Sequence, residues 1–262
     1  MDIRSLTPTI CHLMALDLPH ASITEIQNGL VDTMKRNGIN TITRCLVFMP
    51  DAIGRTIHDL YPGYFTDMER VVQHKETLNS IYPPWTPVCF ASMFSGSSPE
   101  VHGIQKYERP VLKIDTLFDT MARNRKKAGI ITVKNSSMDL IFRNRDIDYH
   151  IEADDAQVIE KTLSILEENK HDFLAVYNDE YDNRLHKTHP YSPECLESLK
   201  HHNESFLRLH DTVKRVWQAC NWLLVYAPDH GAHFNQADGV GTHGLNIPED
   251  MDLIHYYAFS AK

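Results

Sequence analysis

Six side chains have the types and grouping to hold divalent metal: Asp51, Asp182, His186, Asp229, His230 and His243. Asp182 and His186 stand four apart in DNRLH, a step that puts both on one helix face. Asp229 and His230 are neighbours in PDHG, and at a strand end turning into a loop both can reach one site. His243 follows in GTHG, where Gly241 and Gly244 permit an unusual backbone path and close approach to a ligand. Carboxylate oxygen with neutral imidazole nitrogen suits zinc, manganese or iron, and six such groups suffice for two ions. Two ions about 3.5 to 4 Å apart can activate an oxygen nucleophile and stabilise a leaving oxygen during in-line phosphoryl displacement. Three carboxylates against two dications leave the inner shell positive, which suits an anionic substrate.

The nucleophile is sought in the run from Tyr82 to Ile104. Thr86 precedes Pro87 and a stretch of apolar, helical character. A hydroxyl at a helix N-terminus lies at the positive end of the dipole, and a metal beside it lowers its pKa toward the alkoxide. The alternative reading is that Thr86 is an N-cap with Pro87 at the first helical position. Spacing leaves both open.

These residues must be positioned by the surrounding elements. Short β-branched runs alternate with stretches of helical period, the pattern of an α/β fold with a mainly parallel central sheet and helices on both faces. Strands are expected at 45–49 (CLVFM), 129–133 (GIITV), 173–177 (FLAVY) and 222–227 (WLLVYA). Helices are expected at 24–36, 116–127, 158–166 and 193–220, with a short one starting near Thr86. Three strands share an ending: CLVFM runs into Asp51, FLAVY into Asn178, Asp179 and Asp182, and WLLVYA into Asp229 and His230. Ligands bind at that edge of open α/β sheets. One such Asp is an ordinary turn former; three, two of them with histidine nearby, point to a site.

The 262 residues carry 26 Lys and Arg against 35 Asp and Glu, a formal charge of −9 that disfavours a nucleic-acid polymer as partner. Length, and the lack of internal repeats or a linker, imply a single domain over 1–262. No apolar run is long enough to cross a bilayer, so no membrane partner is expected. The N-terminus has no continuous apolar segment, and the five scattered cysteines form no CxxC, so a cytoplasmic location with reduced thiols is expected. Oligomeric state is left open.

The order Asp51, TPxxxxSxxSGxxPxxHGI (Thr86 to Ile104), DxxxH (Asp182, His186), DHG (Asp229 to Gly231) and GTHG (His243) resembles the alkaline phosphatase superfamily, in its type I phosphodiesterase and nucleotide pyrophosphatase branch. The resemblance implies a parallel-sheet α/β core and two divalent ions, zinc or alternatively manganese. It places Asp51, Thr86, Asp229 and His230 on one ion, and Asp182, His186 and His243 on the other. Thr86 would attack phosphorus to form a covalent intermediate that water later releases. The implied substrate is a small phosphoric ester such as a nucleotide: diesters or pyrophosphates first, monoesters or phosphonates second. A non-catalytic metal-binding domain is the competing class.

Departures from the family pattern carry expectations too. Cys89 stands where the diesterase branch has asparagine, and Leu185 replaces the glycine before the DxxxH histidine. Only the 55–83 and 108–171 segments leave room for a cap, so an open site with little or no cap domain is expected. His102 is expected to order its loop by hydrogen bonding, while His189, His233, Asp179 and Cys89 are candidates to support the metal ligands. Trp85 is either a stacking platform for an aromatic leaving group or a core residue.

Overall fold

The computed structural model describes residues 1–260. Its strands are β1 (Arg44–Pro50), β2 (His74–Asn79), β3 (Ala128–Val133), β4 (Asp148–Glu152), β5 (Phe173–Asn178), β6 (Trp222–Tyr226), β7 (His233–Asn235), β8 (Val240–Thr242) and β9 (Asp252–Phe259). Seven form one sheet in the order β2-β9-β6-β1-β5-β3-β4, and β7 with β8 makes a separate hairpin. Pairings among β6, β1, β5, β3 and β4 are all parallel; β9 runs antiparallel to both neighbours. The sheet is therefore mostly parallel, as the alternating pattern implies.

Helices cover both faces. Cys45, Val47 and Met49 of β1 face a core shared with the helices Leu6–Met14, Asn28–Arg36, Thr86–Ser95 and Leu117–Arg123. The alternate residues Leu46 and Phe48 face a second core with Asp155–Glu168 and Pro193–Val216. Burial on both sides explains why β1, β5 and β6 read as unbroken apolar runs.

The register brings the acidic strand ends together. β1 lies between β5 and β6, with Pro50 opposite Asn178 and Phe48 opposite Tyr226. Asp51, Asp179 and Asp229 therefore leave the same edge of three adjacent strands.

Some expected bounds shift. The helix expected at 24–36 starts only at Asn28, because the Gln27 N–H donates to Thr9 Oγ1 at 2.9 Å before the helix begins. The one expected at 116–127 ends at Arg123, and the left-handed Arg125 turns the chain into β3. The one expected at 193–220 ends at Val216. The cap expectation fits: residues 55–83 supply the edge strand β2 with short helices, and residues 108–171 supply β3 and β4 of the same sheet. The five cysteines are unpaired. Among the described residues no helix is long and apolar enough to cross a membrane.

Candidate metal and nucleophile site

Six of the seven candidate side chains assemble into two groups of mutually close donors: Asp51, Asp229 and His230, and Asp182, His186 and His243. The groups adjoin, since the His230 and His243 rings stack with centroids 4.0 Å apart. Thr86, the seventh, sits on the first group.

Backbone carbonyls aim every imidazole. His230 Nδ1 lies 3.0 Å from the Gly231 carbonyl, His243 Nδ1 2.7 Å from that of Pro84, and His186 Nδ1 3.1 Å from that of Gly241. With Nδ1–H donating, each Nε2 lone pair turns toward a carboxylate. His230 Nε2 is 3.3 Å from Asp51 Oδ1 and 3.5 Å from Asp229 Oδ2; Asp182 Oδ1 lies 3.3 Å from His186 Nε2 and 3.5 Å from His243 Nε2. A histidine tethered through one nitrogen with the other free is the usual arrangement of a metal ligand.

The carboxylates test the fit to a cation. Asp51 Oδ1, Asp229 Oδ2 and Asp182 Oδ1 are buried with no hydrogen-bond partner. Burial first, then the neighbouring Asp229 and Asp182, pushes the Asp51 carboxyl well above the usual range. Burial pushes Asp229 up to about 7. Burial alone would raise Asp182 as well, but the His186, His243 and His230 imidazoles outweigh it and hold it below its ordinary value. Burial also keeps His230 and His243 neutral, as ligands must be. Orphaned carboxyl oxygens facing imidazole nitrogens fit a divalent cation in each group.

The N-cap reading of Thr86 is overturned. Trp85 is the cap, in extended conformation, its carbonyl accepting the Val88 and Cys89 N–H groups; Thr86 is the first helical residue. Its hydroxyl is thus free of capping and lies 3.2 Å from His230 Nε2 and 3.5 Å from Asp51 Oδ2. Trp85 is half-buried against the helical core, its ring edge-on to His243 at 5.3 Å and to Tyr107 at 5.7 Å.

The two glycines of GTHG have separate duties. At Gly241 a Cβ would fall 2.8 Å from the Leu185 carbonyl, so only glycine lets the His243 strand close on the Asp182 helix. Gly244, at φ +117°, turns the chain where a Cβ would strike the Trp85 ring at 2.9 Å.

The supporting candidates divide. His102 does order its loop: Nε2 pairs with Ser92 Oγ at 2.8 Å and Nδ1 accepts the Ile104 N–H, so neither nitrogen is left for metal. His233 pairs with Asp250 at 2.7 Å, and Asp250 also accepts the Leu245 N–H, bracing the loop beyond His243. Asp179 bonds Asn183 and is raised to about 6 by burial and by Asp182, but it touches no ligand. His189 accepts the Tyr191 N–H and packs on Phe234, outside both donor groups. Cys89 is buried with Sγ 3.3 Å from Ser80 Oγ, which donates to the Asp229 carbonyl at 2.6 Å; its support is indirect.

Two contributors escaped the sequence reading. Tyr177, at the end of β5, donates its hydroxyl to Asp51 Oδ2. Asp155 accepts the N–H groups of Asp179 (3.0 Å) and Glu180 (2.8 Å), anchoring the start of the helix Glu180–Leu185 that carries Asp182. Tyr177 borders the acidic strand end and could have been weighed with it; Asp155, over twenty residues upstream, gave no signal.

Known structures share this fold. Phosphonoacetate hydrolase from Sinorhizobium meliloti 1021, solved with phosphonoformate, superposes with a TM-score of 0.56 at 16% identity, over 76% of this chain and 59% of that one. Murine ectonucleotide pyrophosphatase/phosphodiesterase 5, solved as an inactive threonine-to-alanine variant with AMP, superposes with a TM-score of 0.60 at 15% identity, over 75% of this chain and 59% of that one. The aligned region thus spans less than two thirds of either structure, and at such identities the likeness shows the fold. No curated protein matches the chain significantly. The family model for type I phosphodiesterase/nucleotide pyrophosphatase matches residues 65–255, most of the chain, from the short helices before β2 into β9. By that match, this chain belongs to the type I phosphodiesterase/nucleotide pyrophosphatase family.

Proposed function

We propose that this chain hydrolyses small phosphoric esters, with nucleotide diesters or pyrophosphates as the first substrate class, through a covalent intermediate on Thr86. The observation that carries the reading is the uncapped Thr86 hydroxyl, 3.2 Å from the tethered His230 and 3.5 Å from Asp51. Asp51, Asp229, His230 and Thr86 would hold one divalent cation, and Asp182, His186 and His243 another, zinc or manganese, supplying positive charge that favours the Thr86 alkoxide and offsets charge growing on phosphorus.

The Thr86 hydroxyl gives its proton to solvent and Oγ attacks phosphorus as the bond to the leaving oxygen breaks, and the leaving group departs with a proton from solvent. Water then attacks the phosphothreonine or nucleotidyl-threonine from the opposite side, regenerating the hydroxyl. Asp51 and His230 orient Oγ, Tyr177 fixes the Asp51 carboxylate, and the helix N-terminus behind Thr86 favours negative charge at that oxygen. The AMP and phosphonoformate bound to the two similar structures support a small anionic substrate.

The test is turnover of nitrophenyl phosphate, a nitrophenyl diester and a phenylphosphonate with added zinc or manganese, wild type against Thr86→Ala. Hydrolysis of at least one by wild type and loss in the variant is expected. Equal rates would refute Thr86 as nucleophile, and no turnover by wild type would favour the non-catalytic metal-binding alternative.

A further inference from the structure

A third group of donors lies at the other edge of the sheet. Asp148 opens β4 opposite Gly129 of β3, so it stands at the strands' N-terminal end, whereas Asp51 and Asp229 follow C-terminal ends. His150, two residues on, shares the Asp148 face of the strand. His171 enters from the turn before β5, its Nε2 2.8 Å from Asp148 Oδ2. One donor atom from each of the three lies within 4.8 Å of the others.

We propose that Asp148, His150 and His171 form a further divalent-metal site, for an ion of the zinc class, independent of the Thr86 edge. Two imidazoles and one carboxylate are borderline ligands suited to such ions. One observation points to a missing partner: the buried Nε2 of His150 has no hydrogen-bond partner, so that imidazole keeps a nitrogen the protein leaves unsatisfied. The competing cation is Lys127, whose Nζ is 3.0 Å from Asp148 Oδ2 on a half-exposed side chain able to swing into solvent. An incoming dication takes its place, and Asp148 is exposed enough to admit it.

Metal-free protein is loaded with cobalt(II), freed of excess and measured by elemental analysis and visible absorption. His150→Gln and Asp148→Asn are each expected to hold one equivalent fewer than wild type, with unchanged circular dichroism. Lys127→Met is expected to tighten that equivalent roughly two- to fivefold by removing an exposed ion pair. The readout is a difference between proteins with an intact Thr86 edge, so it does not depend on how many ions that edge holds or whether it is catalytic. Equal metal content in wild type and His150→Gln, or looser binding in Lys127→Met, would overturn the site and leave an ordinary Lys127–Asp148–His171 ion network.

Discussion

The two halves of the Thr86 site are built from similar donors but stand differently toward solvent. In the first, Asp51, Asp229 and His230 are at most 1% exposed and follow directly from β1 and β6. In the second, the His186 side chain is 41% exposed and Asp182 16%, carried on a short helix, while His243 is buried behind the hairpin. Electrostatics follow: Asp51 is pushed up by burial and by the neighbouring Asp229 and Asp182, and Asp229 by burial, whereas Asp182 is held down, first of all by His186. A cation would keep the carboxylates of the buried half ionised, whereas His186 already favours the ionised Asp182 in the open half. Under the proposed function, the difference suits a division in which one half fixes the Thr86 nucleophile and the other exchanges water and product.

The hardest break to this division is Thr86→Ala. Turnover is expected to fall by roughly three orders of magnitude or more, as when a covalent nucleophile is removed, while metal content stays that of wild type; a smaller loss would move the nucleophile elsewhere. Next comes the contrast of His230→Ala with His186→Ala. Loss of the buried ligand is expected to abolish binding in its half. Loss of the exposed one weakens its half by about ten- to a hundredfold, a scale borrowed from ligand-supporting residues. Calorimetric zinc titration checks both, and equal effects would erase the distinction.

Protonation sharpens the comparison. A carboxyl at about 7 in the folded chain and near 3.8 unfolded keeps its proton in the fold between those values, so its stabilising effect is lost as pH rises through that window. In metal-free protein, Asp229→Asn is therefore expected to be more stable than wild type. The gap should widen from pH 5 to pH 8 and reach on the order of a few kcal/mol. For Asp182→Asn the sign reverses, because a depressed carboxyl contributes stability above its unfolded pKa that is lost only as pH falls through its folded value. Chemical denaturation of both variants across pH reads this directly; the same sign for both would undo the electrostatic contrast.

The donors themselves were legible because they follow β1, β5 and β6, whose apolar runs mark them plainly. Three other strands of the sheet were not. The edge strands β4 (DYHIE, half-buried throughout) and β2 (HKETLN, one buried residue) lack the apolar pattern of a central strand, and the interior β9, though buried, mixes Asp252, His255 and tyrosines into its run. The tethers of the imidazoles were equally invisible, since Gly231, Gly241 and Pro84 act through backbone carbonyls that any residue possesses. Thr86 needed the structure for another reason: cap and first helical residue differ by one position, finer than periodicity resolves.

Smaller effects concern supporting groups of the buried half. Tyr177→Phe removes the donor to Asp51 and is expected to lower turnover about ten- to a hundredfold, without unfolding the chain. Cys89→Ala reaches the site only through Ser80 and is expected to change turnover by roughly threefold or less, the scale of one weak hydrogen bond. A larger loss would give the thiol a direct role.

The most direct measurement is acid quench of wild-type protein during turnover of a radiolabelled phosphoric ester, followed by peptide mapping. Label is expected on the peptide containing Thr86, and none on the Thr86→Ala protein. Sustained hydrolysis with no labelled protein, or label on any other residue, would contradict the account.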